Sequence, residues 1–337
     1  MLSKPAIAGH NFIMPFVPNP IYSSTLLYMH ILTITFNPAI DKSTTVASIR
    51  PDKKLRCTAP VFEPGGGGLN VARAVRKLGG EAMALYLAGG YSGKFLTQLL
   101  EREGVPSTVI ETVSHTRENL IVMDTGAGQQ FRFGMPGSEV QRQEWELLLK
   151  TVEESGAKYI VASGSLPPGV PTDVFGRIAS IARRMGARLV VDTSGDALKD
   201  AVDEGVFLFK PNLGELSSLV GKEEVTQEAV DDIARQVLGN GKCEAVVVSM
   251  GPRGARLITR DEVFQAIPPV VKQRSTVGAG DSMVAGIVLS LSAGNGLREA
   301  LSFGVAAGTA ATMNRGTELC NLPDVQRLLP MIRMIEG

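Results

Sequence analysis

The sequence contains few of the side chains on which disulfide, zinc and imidazole chemistry depend. Its 337 residues include three cysteines, three histidines and one tryptophan. The cysteines, Cys57, Cys243 and Cys320, lie far apart without a C-x-x-C pair, which argues against a disulfide framework and a structural zinc site. His10 and His30 precede the first clear strand, and only His115 lies within the body of the chain. Catalysis by a histidine relay is therefore not expected. This cysteine usage indicates a reducing compartment, and we predict a cytoplasmic protein.

An excess of charge of either sign is also missing. Lysine and arginine together number 34, aspartate and glutamate also number 34, and the formal net charge is +0. This balance gives no reason to expect a nucleic-acid or membrane-surface partner, whereas a charged small molecule stays open. The length and the 44% hydrophobic content suit one large α/β unit with room for a small accessory sheet.

Residues 1–30 lack an apolar run long enough to span a bilayer and a convincing signal-peptide cleavage pattern. Several prolines are scattered through them, and we predict a poorly ordered N-terminal extension. Met29 stands directly before the first strand, so a later translation start is an open alternative.

Short apolar strands alternate with helices along most of the chain. The predicted strands are 31–36, 82–87, 159–162, 189–191, 206–209 and 245–249. The predicted helices between them are 92–101, 141–154, 172–184 and 226–238. Such alternation predicts a mostly parallel sheet that is covered by helices on both faces.

A second set of strands is half polar and predicts an accessory sheet. Residues 44–62 read as one ribbon, and 119–124 with 129–133 read as a hairpin around a glycine-rich turn. A four-stranded sheet with one apolar face cannot stand alone in water, so it would cover the main domain or pair with another copy. We therefore expect a homodimer.

A run of four glycines, 65–68, lies at the start of a predicted helix. Glycine lets a ligand approach the backbone, and the Asn70 that follows offers a hydrogen-bond donor and an acceptor. The run is not a P-loop, because no Lys-Ser/Thr follows, and its spacing does not fit a dinucleotide fingerprint.

The stretch 276–283 follows an extended apolar run and opens another helix. Gly278 and Gly280 leave the first N–H groups of that helix open to an anion, which the helix dipole also attracts. Asp281 would repel such an anion unless it accepts a proton from an attacking hydroxyl or holds a cation. An acidic residue here also commonly stabilises a helix start, and that alternative stays open at this point.

Several other polar residues follow predicted strands, where ligands gather in open α/β sheets. Asp41 could accept a hydrogen bond from a sugar hydroxyl, and the hydroxyl of Ser165 could contact a substrate. The planar guanidinium of Arg117 suits a phosphate ester, to which it can donate two hydrogen bonds. Asn212 and Glu215 lie three apart in a starting helix and could hold hydrated Mg²⁺. For Asp41 we favour the sugar-binding function over a role in shaping the turn, whereas Ser165, Arg117 and the Asn212–Glu215 pair, each taken alone, are more often structural than functional.

Taken in chain order, these motifs resemble those of the ribokinase-like, or PfkB, family of sugar kinases. The resemblance covers residues 31 to about 330. The resemblance implies a doubly wound, mostly parallel α/β domain over 31–337 with a small β-sheet lid from about 42–62 and 117–136. Residues 54–74 are most similar to those of family members that phosphorylate fructose 6-phosphate at the 1-hydroxyl with ATP. We expect that reaction, with Mg²⁺ and K⁺ as cofactors.

The resemblance also implies roles for individual residues. Asp281 would be the base for the sugar hydroxyl, and the backbone of 278–280 would hold the anion at the transferred phosphoryl group. The anion-hole residues are Gly278, Ala279 and Gly280. The sugar phosphate would contact Asp41, Arg56, Gly66, Gly67, Asn70, Arg117 and Ser165. The nucleotide would contact Lys54, Lys210, Asn212, Ser249, Gly251, Gly254, Val305, Gly308 and Thr309.

Two of these residues, Lys54 and Arg56, would reach the site from the lid of a neighbouring subunit. Glu215 would act on Mg²⁺ through water. The implied K⁺ site consists of Ser275, Val277, Ala311, Asn314 and Gly316, mostly through carbonyl oxygens.

Other functions stay open. The same fold could phosphorylate fructose 1-phosphate, tagatose 6-phosphate, an unphosphorylated sugar or a nucleoside, although Lys54, Arg56 and Arg117 favour a phosphorylated acceptor. A nucleotide-sensing protein without catalysis should lack the base or the Mg²⁺ residue, and this chain retains Asp281 and Glu215. An NAD-dependent oxidoreductase is disfavoured because the dinucleotide glycine pattern is missing.

Overall fold

The structure is a computed structural model, and it describes residues 30–223, 226–239 and 242–337. The predicted N-terminal extension, apart from His30, lies outside the described residues. All three cysteines are free, as expected, with Cys57 exposed and the other two buried. Within the described ranges, no helix has the length and apolar character needed to cross a membrane.

Strands occur along the whole described chain. In chain order they are β1 Ile31–Thr35, β2 Ala39–Val46, β3 Val61–Gly65, β4 Met83–Gly89, β5 Ser107–Thr112, β6 Arg117–Asp124, β7 Gln129–Phe133, β8 Tyr159–Ser163, β9 Arg188–Asp192, β10 Leu208–Phe209, β11 Ala245–Ser249, β12 Ala255–Ile258, β13 Val263–Ile267 and β14 Arg333–Glu336. Ten of them form a large sheet in the order β14-β13-β12-β11-β10-β9-β8-β1-β4-β5, and the other four form a small sheet in the order β3-β2-β6-β7.

The large sheet is parallel from β11 to β5 and antiparallel at the β12–β14 edge. Its strands alternate their side chains between two apolar layers, as the period of two requires. In β4, for example, Ala84 and Tyr86 face one layer while Met83 and Leu85 face the other. The fold is therefore the mostly parallel α/β architecture that the sequence predicts.

Helices cover both faces of the large sheet. They are α1 Gly67–Lys77, α2 Gly90–Arg102, α3 Arg142–Glu154, α4 Val174–Met185, α5 Gly195–Glu204, α6 Leu213–Leu219, α7 Val230–Leu238, α8 Ala279–Ser292, α9 Leu297–Thr312 and α10 Leu322–Leu328. Buried side chains of α1, α2, α8, α9 and α10 fill one layer, and those of α3 to α7 fill the other.

Helices α8 and α9 pack with their backbones in close contact. A Cβ on Gly286 would lie 2.9 Å from Cα of Gly304, and one on Gly308 would lie 3.0 Å from the carbonyl oxygen of Ala279. These distances are shorter than a carbon contact tolerates, so the small residues set how close the two helices come.

The small sheet differs from the predicted ribbon over 44–62. Its strands β2 and β3 are separated by residues 47–60, which form no strand. Pro51 and Pro60 have no N–H to give to a ladder, and Asp52 has a φ of 55°, outside the extended region. The predicted hairpin is confirmed as β6 and β7, with β6 beginning two residues earlier, at Arg117.

Candidate active site

The N-terminus of α8 carries the main chemical features of the site. Gly278 precedes the helix with a φ of 72°, in the left-handed region that favours glycine, and a Cβ there would lie 2.6 Å from the side chain of Leu319. Among the described residues, the N–H groups of Gly278, Gly280 and Asp281 donate to no protein acceptor, whereas Ala279 N donates to Thr276 O at 3.4 Å. Unpaired amides at a helix N-terminus form a site for an anion.

Asp281 lies in the first turn of α8 and is half-buried. Burial raises the pKa of Asp281 to about 6, and the negative charge of Asp192 adds to the rise. A hydrogen bond from Asn70 Nδ2 to Asp281 Oδ2, at 2.9 Å, opposes it, as do the charges of Lys210 and Arg73. A carboxylate with this pKa is ionised at neutral pH and can still accept a proton.

Lys210 forms a buried ion pair beside Asp281. Its Nζ lies 3.0 Å from Asp192 Oδ1, and the two residues follow or end neighbouring strands, β10 and β9. Burial alone would lower the pKa of Lys210, but Asp192, Glu215 and Asp281 outweigh it and raise that pKa. The ammonium group therefore stays charged next to the start of α8, where it can stabilise a phosphate.

The glycine run is packed against the carboxyl ends of two strands. A Cβ on Gly67 would collide with Ser163 Oγ and lie 2.8 Å from Gly164 N, and one on Gly68 would collide with Ile34 O. The start of α1 can therefore approach the sheet only because these residues have no side chain. This close approach brings Asn70 within reach of Asp281.

Polar side chains predicted for the sugar meet at the edge of the small sheet. Asp41 of β2 accepts a hydrogen bond from Asn119 Nδ2 at 2.8 Å, and its pKa is raised mainly by burial. Ser165 Oγ accepts a hydrogen bond from Asn37 Nδ2 at 3.1 Å. These groups form a polar rim between the small sheet and the carboxyl ends of β1 and β8.

Arg117 reaches the same rim, but it also braces the backbone. Its Nη2 donates to Asn37 O at 2.9 Å, its Nη1 to Met135 O at 3.0 Å, and its Nε to Pro38 O at 3.4 Å. One N–H on each terminal nitrogen is left for a ligand. Burial lowers the pKa of Arg117, and the charge of Asp41 counteracts this.

A groove of about 600 Å³ opens on the other side of the α8 N-terminus. Six of the residues predicted for the nucleotide line it, namely Ser249, Gly251, Gly254, Val305, Gly308 and Thr309. The segment Pro268–Val271, which no sequence motif indicated, also lines the groove, with a fully exposed Val270. Ala279 and Gly280 also line the groove, so it leads to the unpaired amides.

Asn212 and Glu215 are placed together as predicted, but their contacts are those of a helix cap. Asn212 Oδ1 accepts from Glu215 N at 2.9 Å, and Glu215 Oε2 accepts from Asn212 N at 2.8 Å. This reciprocal pair is a capping box at the start of α6. Oε1 of Glu215 makes no hydrogen bond among the described residues and could reach a hydrated cation.

Four of the residues implied for K⁺ lie in two adjoining loops, and the fifth, Ala311, lies in the last turn of α9. Ser275 Oγ donates to Gly316 O at 2.6 Å and accepts from Val277 N at 3.2 Å. The loop that contains Asn314 is held by a hydrogen bond from its Nδ2 to Leu319 O at 2.8 Å. Neutral hydroxyl and carbonyl oxygens suit a large monovalent cation. No group of three or more His, Cys, Asp or Glu side chains in the described ranges could hold a metal ion.

The structure does not bring Lys54 and Arg56 to the rest of the site within this chain. Both are exposed on the stretch between β2 and β3, and neither makes a hydrogen bond or ion pair in the described part of the molecule. In addition to Pro268–Val271, four residues in contact with site residues were missed from the sequence: Asp192, Asn119, Arg73 and Glu103. Asp192 had a usable signal, since it ends an apolar strand as Asp41 follows one.

Residues 33–324 match the model of the pfkB family carbohydrate kinases. The ATP-dependent 6-phosphofructokinase isozyme 2 of Escherichia coli is 46% identical over 303 residues, which are 89% of this chain and 98% of that protein. The 1-phosphofructokinase of Bacillus subtilis is more distant, at 30% identity over 90% of this chain and 99% of that protein.

Solved structures of the E. coli enzyme match the fold of this chain over most of its length. Phosphofructokinase-2 from E. coli in complex with potassium has a TM-score of 0.87 at 46% identity and covers 90% of this chain and 99% of its own. The same enzyme in complex with fructose-6-phosphate has a TM-score of 0.84 at 44% identity, with the same coverage. A tetrameric inhibited form of that enzyme, at 45% identity, has a TM-score of 0.85 and the same coverage.

Proposed function

The chain belongs to the pfkB family of carbohydrate kinases, and on this premise we propose that it phosphorylates fructose 6-phosphate at the 1-hydroxyl with ATP. The products would be ADP and fructose 1,6-bisphosphate. The observation that carries the proposal is the position of Asp281, a carboxylate with a pKa of about 6 between the polar rim and the groove, beside unpaired helix amides.

Asp281 would accept the proton of the sugar hydroxyl as that oxygen attacks the terminal phosphorus of ATP. Phosphoryl transfer passes through a loose transition state, so alignment and charge stabilisation contribute more than basicity. The free amides of Gly278 and Gly280 and the ammonium of Lys210 would stabilise the negative charge on the transferred group. A pKa near 6 keeps Asp281 in the accepting form at neutral pH.

The sugar would lie on the rim, with its hydroxyls on Asp41, Asn70 and Ser165 and the backbone of Gly66 and Gly67. Its 6-phosphate would bind the two free N–H groups of Arg117. The nucleotide would occupy the groove that Ser249, Gly251, Gly254, Val305, Gly308 and Thr309 line, with Asn212 and Lys210 near its phosphates. Both ligands would then meet at the start of α8.

Two cations are part of the proposal. Mg²⁺ would be held through water by the free oxygen of Glu215 and by the phosphates of ATP, and it would neutralise their charge. K⁺ would lie among the oxygens of Ser275, Val277, Ala311, Asn314 and Gly316. The support for K⁺ is the neutral oxygen set that the two loops and the end of α9 bring together, and the potassium complex of the E. coli relative.

An ADP-release assay with a panel of acceptors tests the substrate. We expect fructose 6-phosphate to give the highest kcat/KM, well above fructose 1-phosphate, tagatose 6-phosphate and free fructose. Activity should require Mg²⁺ and should fall when K⁺ is replaced by Na⁺. A higher kcat/KM with another sugar phosphate would make that compound the substrate in place of fructose 6-phosphate. No ADP release with any acceptor would favour a nucleotide-sensing protein without catalysis.

We also propose that two copies pair through the small sheet, which would act as a lid. Val61, Phe133 and Met135 expose apolar surface on or next to its strands, and each is more than two-fifths exposed. Pairing would carry Lys54 and Arg56 to the neighbouring site, near ATP and the sugar phosphate respectively. Analytical ultracentrifugation should give about twice the 35.8 kDa of one chain, and a monomer at working concentration would contradict the pairing.

The Arg117→Ala variant is expected to raise the KM for fructose 6-phosphate by about 10- to 100-fold, the range for one or two lost hydrogen bonds to a charged group. The KM for ATP should change little, because Arg117 lies on the rim and not in the groove. Arg132→Ala, on the exposed hairpin strand β7, is the matched control. A rise confined to the KM for ATP would move Arg117 to the nucleotide side.

A further inference from the structure

We propose that Arg73, a buried arginine of α1 that no step above uses, is a positioning residue that fixes which end of the Asn70 amide faces Asp281. Its side chain is 2% exposed, although an arginine is rarely buried unless its charge is paired. It lies one helical turn after Asn70, on the side of α1 that faces β3 and α2.

The donors of Arg73 are almost fully used by the protein. Its Nη1 donates to Asn70 Oδ1 at 3.2 Å and to Pro64 O at 2.7 Å, in the strand that leads into the glycine run. Its Nε and Nη2 donate to the two carboxylate oxygens of Glu103, at 2.8 and 2.7 Å. The remaining N–H of Nη2 faces Glu63, 3.6 Å away. Such a guanidinium cannot take a ligand, and its position is fixed by the bidentate pair.

The chemistry of arginine determines the orientation of the amide. A guanidinium has donors and no acceptor, so the end of Asn70 that faces Arg73 must be its oxygen. The NH₂ end then has to face Asp281, and it donates to Oδ2 at 2.9 Å. Without Arg73 the amide could turn around and present its oxygen to the carboxylate. That orientation repels the ionised form of Asp281 and accepts a hydrogen bond from the protonated form.

Arg73 therefore affects Asp281 through Asn70 and, more weakly, through its own charge. The other charged groups that face Asp281 are Asp192 at the end of β9 and Lys210 after β10, and neither contacts Arg73. Loss of Arg73 should make the carboxylate harder to ionise while leaving this ion pair in place.

The test is the Arg73→Met variant, with Arg76→Met as control. Arg76 lies on the same helix and is exposed, and its side chain makes no ion pair or hydrogen bond in the described ranges. We expect the pKa of Asp281, followed by ¹³C NMR of labelled aspartate and assigned with Asp281→Asn, to rise by about one unit in Arg73→Met and to stay unchanged in the control. In the active enzyme the acid limb of kcat against pH should move up by the same amount.

A purely structural role for Arg73 would predict a lower melting temperature with an unchanged pKa of Asp281, and that result would overturn the proposal. If Arg73→Met fails to fold, Glu103→Gln loosens the arginine without removing it, and a smaller shift in the same direction is expected. No shift in that folded variant would equally count against the role.

The double variant Asn70→Ala/Arg73→Met isolates the route of the effect. Because Arg73 acts through Asn70, we expect the double variant to show nearly the same Asp281 pKa as Asn70→Ala alone. Additive shifts would overturn the positioning role. The inference rests on the proposed function, but the NMR measurement does not require activity. An inactive enzyme would therefore refute the kinase assignment, whereas an unshifted pKa refutes only the role of Arg73.

Discussion

The Asp281→Asn variant is expected to lose about 10²- to 10⁴-fold in turnover, the usual contribution of a positioned proton acceptor. Asparagine has nearly the same shape, so the start of α8 and the groove should be preserved and ATP should bind as before. A coupled ADP-release assay measures the turnover, and titration with a non-hydrolysable ATP analogue measures the binding. Near-normal turnover would remove Asp281 from the catalytic step.

The same variant should be at least as stable as the parent at neutral pH. The pKa of Asp281 is raised in the folded protein to about 6, above its unfolded value near 3.8. Its ionisation therefore costs no stability below pH 3.8, an increasing amount as the pH rises to about 6, and the full amount above that. Thermal melts should therefore favour Asp281→Asn at pH 7.5 and show little difference at pH 4. Asp261→Asn, in an exposed turn, is the matched control for removal of an acidic charge.

The Lys210→Met variant is expected to destabilise the fold by about 3–5 kcal/mol, the usual cost of leaving one partner of a buried ion pair alone. Asp192 would remain buried without its cation, and the ionisation of Asp281 would become harder in the same step. Urea unfolding measures the loss of stability. Lys199→Met, an exposed lysine of α5 without an ion pair, should be close to the parent.

A second substitution separates the two effects of Lys210. In Asp192→Asn/Lys210→Met no uncompensated charge is left, so part of the lost stability should return. Activity should stay low, because the ammonium beside the amides of α8 is still missing. Full stability in Lys210→Met alone would show that water reaches Asp192 and that the pair is not buried in solution.

Much of the site could be predicted because the chemistry is concentrated in two local motifs. The glycine run with Asn70 and the stretch around Asp281 each signal a helix start open to a ligand, and the structure joins them by one hydrogen bond. The sequence did not predict roles for Asp192 and Arg73, and the reason is different. Their roles depend on neighbours 18 and 30 residues away in sequence, Lys210 and Glu103, which only the strand order and the packing of α1 against α2 bring close.

The strands at one edge of the large sheet and helix α9 were missed from the sequence for two different physical reasons. Strands β12 to β14 form an antiparallel edge, and polar residues interrupt their apolar ones, so they lack the continuous apolar run of a central strand. Helix α9 is rich in alanine and glycine and is buried over most of its surface, which hides the amphipathic period that marks a surface helix.

The tight glycine contacts between α8 and α9 also bear on how the two substrates can meet. Asp281 belongs to α8, and the groove residues Val305, Gly308 and Thr309 belong to α9. Because the two helices are in close backbone contact, the base and these groove residues form one rigid unit. Asp41 and Arg117, by contrast, are carried by the small sheet. Any hinge movement that completes the site must therefore deliver the sugar to a stationary base and nucleotide.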